Sequence, residues 1–205
     1  MIDPMAPPSS FRRTASRALV LSAVFAVPAG LLTFLYPPAV ENTVWGYPFD
    51  VGLLSAVSAA LVLAHLLKAL GFIGLSGLDG AGAVTRGAMG VAALGFVVLA
   101  VCEAISVTLA GVPMDSPAAV NLNNGYGAGS MMEALPSILG GIFIARKKLL
   151  PGFDRWSVLL SGVFMVFVVT PALLTGRGAP AYLALTAWSL FYVWIGRALG
   201  RVVDG

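Results

Sequence analysis

The chain has 205 residues and a mean hydropathy of +0.93, and only 10% of its residues are charged. Apolar side chains make up 59% and glycine fills 24 positions, which excludes an ordinary water-soluble domain. The single cysteine, Cys102, excludes an internal disulfide, and the formal net charge of +3 is spread in a way that suits membrane topology rather than a nucleic-acid patch.

Residues 1–17 form a Pro- and Ser-rich head with Arg12, Arg13 and Arg17 near its end, expected as a cytoplasmic segment ahead of one transmembrane domain over 18–205. Six apolar runs follow: Ala18–Tyr36, Val51–Phe72, Gly87–Gly111, Gly127–Ala145, Trp156–Thr175 and Ala179–Ile195. Each suits the roughly 17–25 helical residues that cross a hydrocarbon core of about 30 Å. The predicted fold class is all-α, a polytopic membrane bundle of six transmembrane helices. The first run exceeds the apolar region of a signal peptide, roughly 7–15 residues, so it is expected to be retained.

The joints divide the charges. Lys68 and Arg86 flank the joint between the second and third runs. Arg146, Lys147, Lys148 and Arg155 fill the joint between the fourth and fifth, and Arg197 and Arg201 follow the last. Arg177 alone falls on the other side. The positive-inside rule makes the crowded side cytoplasmic, with both termini there. Trp45 and Tyr47 suit the outer interface, and Trp156, Tyr192 and Trp194 the inner one. Richness in Gly, Ala and Val with few Lys fits a bacterial cytoplasmic membrane. The inner joint after Phe72 carries Gly74, Gly77, Gly80 and Gly82, but no strand precedes it, so a nucleotide loop is excluded and a turn expected.

The outer segments are Pro37–Asp50 and Val112–Tyr126. In the second, Ser116 followed by Pro117 signals a helix start, and one or two turns are expected there. Asn121, Asn123 and Asn124 then read as hydrogen-bonding groups of a cap over an outer cavity, with Trp45, Pro48 and Asp50 on its rim. Gly125-Tyr126-Gly127 matches part of a potassium-filter sequence, but Asn123-Asn124 stand where Thr-Val belongs, and a channel is set aside.

Carboxylates inside apolar runs carry the functional information, because each costs about 2.5–3.5 kcal/mol on insertion scales. Glu103 and Glu133 are two such groups on consecutive helices, which usually neighbour each other. Counted from the run ends, both fall roughly 4–7 Å to the outer side of the midplane. Helical periodicity puts Tyr126, Ser130, Glu133, Ser137, Gly140 and Gly141 on one stripe, and Phe96, Ala100, Glu103, Ser106 and Ala110 on another. Pro136 cannot donate to the carbonyl of Met132, which leaves an acceptor beside Glu133. Pro28 and Pro171 lie within two further runs, and Thr170 falls in the outer third. His65, on a stripe with Ser58 and Phe72, is expected to be a packing histidine.

These residues predict an outward-side polar cavity. Glu103 and Glu133 are its candidate catalytic pair, and Phe96, Ser106, Asn121, Asn124, Tyr126, Ser130, Ser137, Thr170 and Trp188 its candidate substrate contacts. One carboxyl would donate a proton to an alkene or epoxide of a lipid or isoprenoid-like substrate while the other removes one, as in isomerases and cyclases. Phe96, Tyr126 and Trp188 would face the developing cation. No cofactor and no metal is expected, since one His and one Cys cannot build a soft-metal site. Binding or transport of a small cationic or amphipathic ligand uses the same residues. An accessory subunit or scaffold would use the small-residue stripes as interfaces. The expected partners are membrane lipids and a hydrophobic or amphipathic small molecule, not nucleic acid.

Overall fold

The computed structural model describes residues 9–35, 51–175 and 179–204, and among these there is no strand. Six helices are long and apolar enough to cross a membrane: α1 (Ser9–Leu35), α2 (Val51–Ser76), α3 (Ala83–Thr108), α4 (Pro117–Arg146), α5 (Gly152–Leu174) and α6 (Ala179–Asp204). Their outward faces carry Leu21, Val24, Leu63, Leu66, Leu94, Val101, Leu135 and Leu139. Exposed apolar side chains of this kind suit hydrocarbon, where helices satisfy their own backbone groups.

Each helix packs against the next in the chain, and α6 packs broadly against α1, so the six close into a ring. The pairing of α1 with α6 is antiparallel: Ser16 near the start of α1 donates to the carbonyl of Gly196 at 2.8 Å, while Gly30 meets Thr186. Contacts between joints identify one common end. Arg12 pairs with Asp79 at 2.8 Å, Lys147 donates to the carbonyl of Gly80 at 3.3 Å, and Arg201 pairs with Asp154. This end, called the basic end below, gathers Arg12, Arg13, Arg17, Arg86, Arg146, Lys147, Lys148, Arg155, Arg197 and Arg201. Arg177 and the rim candidates Trp45, Pro48 and Asp50 lie outside the described residues.

The helix ends differ from the apolar runs, because amphipathic turns extend helices beyond their apolar stretch. α1 begins at Ser9, inside the segment assigned to the head, and already buries Ala15 and Ser16 against the bundle. α4 begins at Pro117. Ser116 caps it by accepting from the backbone N–H of Ala119 at 3.2 Å, and the helix then runs unbroken to Arg146. Residues 117–126 are therefore the first turns of α4 and not a separate cap.

Lys68 is the larger correction. α2 continues through it to Ser76, so Lys68 stands two turns inside the helix and is fully buried in the ring, not beside the joint with the other basic residues.

α5 is a composite. A 3-10 turn, Gly152–Trp156, leads into α-helix Ser157–Phe164, a π-helical stretch Met165–Val169 and a last α turn Thr170–Leu174. Pro171 has no N–H for the regular ladder, and just before it the backbone N–H and hydroxyl of Thr170 both turn to the carbonyl of Met165, the latter at 2.9 Å.

Candidate functional site

The ring closes on aromatic side chains. Phe72 from α2, Phe96 from α3, and Trp188 and Tyr192 from α6 are buried together, with Phe96 edge-on to Tyr192 at 5.6 Å and Trp188 edge-on to Tyr192 at 5.0 Å. Into this group α2 sends the side chain of Lys68. Its Nζ sits 4.3 Å from the centroid of Trp188, 4.5 Å from Tyr192 and 5.8 Å from Phe96. Ring faces attract a cation, and a desolvated contact of this kind contributes about 2 kcal/mol. His65, one turn earlier on α2, stacks on Phe96 at 6.2 Å and is also buried.

Glu133 is the acid of this core. It is completely buried; its Oε1 accepts from the hydroxyls of Ser137 at 3.2 Å and Tyr192 at 3.3 Å, while Oε2 has no hydrogen-bond partner among the described residues. Tyr192 thus presents its ring to Lys68 and its hydroxyl to Glu133. Both Glu133 and Glu103 lie within electrostatic reach of Lys68. The Lys68 nitrogen thus lies over three ring faces.

The backbone permits this through close helix approach. A methyl added at Gly95 would lie 2.7 Å from the backbone nitrogen of Glu133 and 2.8 Å from the carbonyl carbon of Met132. α3 therefore lies flush on α4 where Glu133 leaves it. At Gly162 a methyl would meet the carbonyl oxygen of Ala134 at 2.7 Å, which brings α5 onto the other side of α4.

The same contacts fix the register of α3 against α4 and revise the expected depths. Gly95 is level with Glu133, whereas Cys102 is level with Gly125, whose added methyl would meet its sulfur at 2.9 Å. Glu103 is eight residues along α3 from Gly95, or about 12 Å. The acids are stacked along the bundle and not side by side. The estimate from run ends failed because α4 begins at Pro117, which moves its centre away from that of the run Gly127–Ala145.

Around Glu103, itself buried, the neighbours are Cys102, Tyr126 and Ser106; the Ser106 hydroxyl donates to the backbone carbonyl of Glu103 at 2.7 Å. Of the other candidates, Phe96, Ser137 and Trp188 belong to the Lys68 core, and Ser130 is half-buried on α4. Asn121 and Asn124 are exposed on the first turns of α4, because the helix that was expected to stop continues through them and turns them outward. Thr170 lies in α5 with its hydroxyl committed to Met165. Among the described residues, no three His, Cys, Asp or Glu side chains gather as a metal-binding group.

Sequence reasoning placed Lys68 beside a joint and Tyr192 at the inner interface, whereas the structure buries both in the core, and it missed Ser161, which is buried beside Tyr192. A signal for Lys68 was present. The apolar run continues four residues beyond it to Phe72, and Lys68 shares the helical stripe of His65 and Phe72. No family model, curated protein or solved structure matches this chain.

Proposed function

We propose that this integral membrane protein relays protons through the interior of its helix ring, and that the relay drives movement of a small amphipathic or cationic solute. The observation that carries this reading is Lys68, held in an aromatic cage within electrostatic reach of Glu133. Ionisable groups inside membrane helices mark ion and proton pathways. When a proton leaves the Lys68 ammonium and the Glu133 carboxylate takes one up, the core becomes neutral; the reverse transfer restores the charged pair. The apolar surroundings favour the neutral state, while the ring faces at Lys68 and the hydroxyl donors at Glu133 favour the charged one, so the pair is a two-state element.

Polar groups extend the relay in both directions. Toward the basic end, Ser161, Ser157 and Asp154 are buried on one stripe of α5 beyond Tyr192, with no hydrogen bond joining them among the described residues. In the other direction they run from Lys68 to Glu103 and Tyr126. The basic end faces the cytoplasm of a bacterial cell in this proposal, by the positive-inside rule.

An isomerase or cyclase acting on a lipid or isoprenoid-like alkene would use the same aromatic faces and the same acids. It has less support, because the Lys68 ammonium occupies the place where those faces would hold a substrate cation. A scaffold would leave the buried charges without a role.

Infrared difference spectroscopy of protein in lipid, recorded across a pH titration, tests the proposal. A carboxyl band that disappears in Glu133→Gln should change its titration midpoint in Lys68→Met. A Glu133 band indifferent to Lys68→Met would contradict the shared proton.

A further inference from the structure

A second feature adjoins the proton relay and shares Asp154 with it. A cavity of about 410 Å³ opens at the basic end, lined by Asp154, Leu190, Val193, Trp194, Arg197 and Arg201. We propose that it binds one anionic phospholipid, the phosphate on Arg197 and Arg201 and an acyl chain along Leu190 and Val193.

The order of chemistry along α6 carries this inference. Leu190, Val193, Trp194, Arg197 and Arg201 recur at helical spacing on one face, passing from apolar through aromatic to basic toward the end of the bundle. A phospholipid presents tail, backbone and phosphate in the same order along the membrane normal. Leu190 is 54% exposed, so the apolar wall opens directly onto the lipid-facing surface. Phe153, 70% exposed, stacks on Trp194 at 5.6 Å and 16° between planes, an aromatic pair suited to the interfacial zone.

Charge complementarity selects an anionic head. Asp154 lines the cavity but both its oxygens are engaged, Oδ1 by the indole N–H of Trp194 at 2.8 Å and Oδ2 by Arg201. It braces those two side chains in place. Two guanidinium groups against one carboxylate leave one positive charge, which matches a phosphodiester. The side chain of Arg201 remains 61% exposed beyond its contact with Asp154, and Arg197 is exposed one turn earlier. Guanidinium groups favour phosphate through paired N–H donors.

Native mass spectrometry of the full chain in detergent tests the site, with phosphatidylglycerol, phosphatidylcholine or inorganic phosphate added separately. Wild type should retain phosphatidylglycerol in preference to phosphatidylcholine. Arg197→Gln should weaken that retention about five-fold, the effect of one basic residue at an anionic surface, with unchanged thermal stability because Arg197 is exposed. Leu190→Ser should weaken it as well by removing part of the apolar wall. Equal retention of both lipids, or no change in either variant, would overturn the proposal. Displacement of the lipid by millimolar inorganic phosphate would also overturn it and identify a free-anion site.

Discussion

At Lys68 the chain places an ammonium where apolar packing alone would favour leucine or methionine, and three ring faces are arranged to receive it. The position is electrostatically linked to Glu133, whose carboxylate has two hydroxyl donors on one oxygen. Removing one charge of a buried pair leaves the other without compensation, whereas removing both is often neutral. Lys68→Met should therefore cost about 3 kcal/mol of unfolding free energy in detergent. Lys68→Met combined with Glu133→Gln should regain most of that loss. Chemical denaturation of the four members of this cycle checks it; a double variant no more stable than Lys68→Met alone would dissolve the link between the two residues.

At the scale of the element, glycine governs how closely the acid-bearing helix is approached. Gly95 lies against the backbone of α4 at Glu133, whereas Gly90, on the same helix, faces open space. Gly95→Ala should lower stability by about 1–3 kcal/mol, because backbone has to move to admit the methyl. Gly90→Ala should be neutral or mildly stabilising, since alanine is the better helix former. Thermal unfolding of the two variants side by side distinguishes contact from propensity, and equal melting would mean that α3 and α4 are not tightly apposed at Glu133. The helices themselves were legible in the sequence as six apolar runs, and Ser116-Pro117 marked the start of α4. Their ends were not legible, because hydropathy records where lipid-compatible side chains stop and not where backbone hydrogen bonding stops. Asn121 and Asn124 were misassigned for that reason. Lys68 was misassigned for a related one: a charge near the end of an apolar run has the same local pattern whether it leaves the bundle or turns into it. Only the neighbouring helices decide, through rings contributed by Phe96, Trp188 and Tyr192.

For the whole molecule, each helix packs on the next in the chain and the last packs on the first, so charged groups turned inward from different helices share one interior. Glu103, Lys68 and Glu133 are strung along that interior, and Ser161, Ser157 and Asp154 continue toward the basic end. The central claim is that protons travel this line. The measurement that tests it most directly is proton uptake into liposomes containing the purified protein, driven by an imposed membrane potential and followed by an internal pH-sensitive dye, with and without candidate amphipathic cations outside. Wild type should acidify the lumen, with a rate that changes when a transported cation is present. Glu133→Gln and Lys68→Met, reconstituted in equal amount, should fall to the rate of empty liposomes. Wild-type vesicles that acidify no faster than empty ones, with every cation tried, would contradict the account.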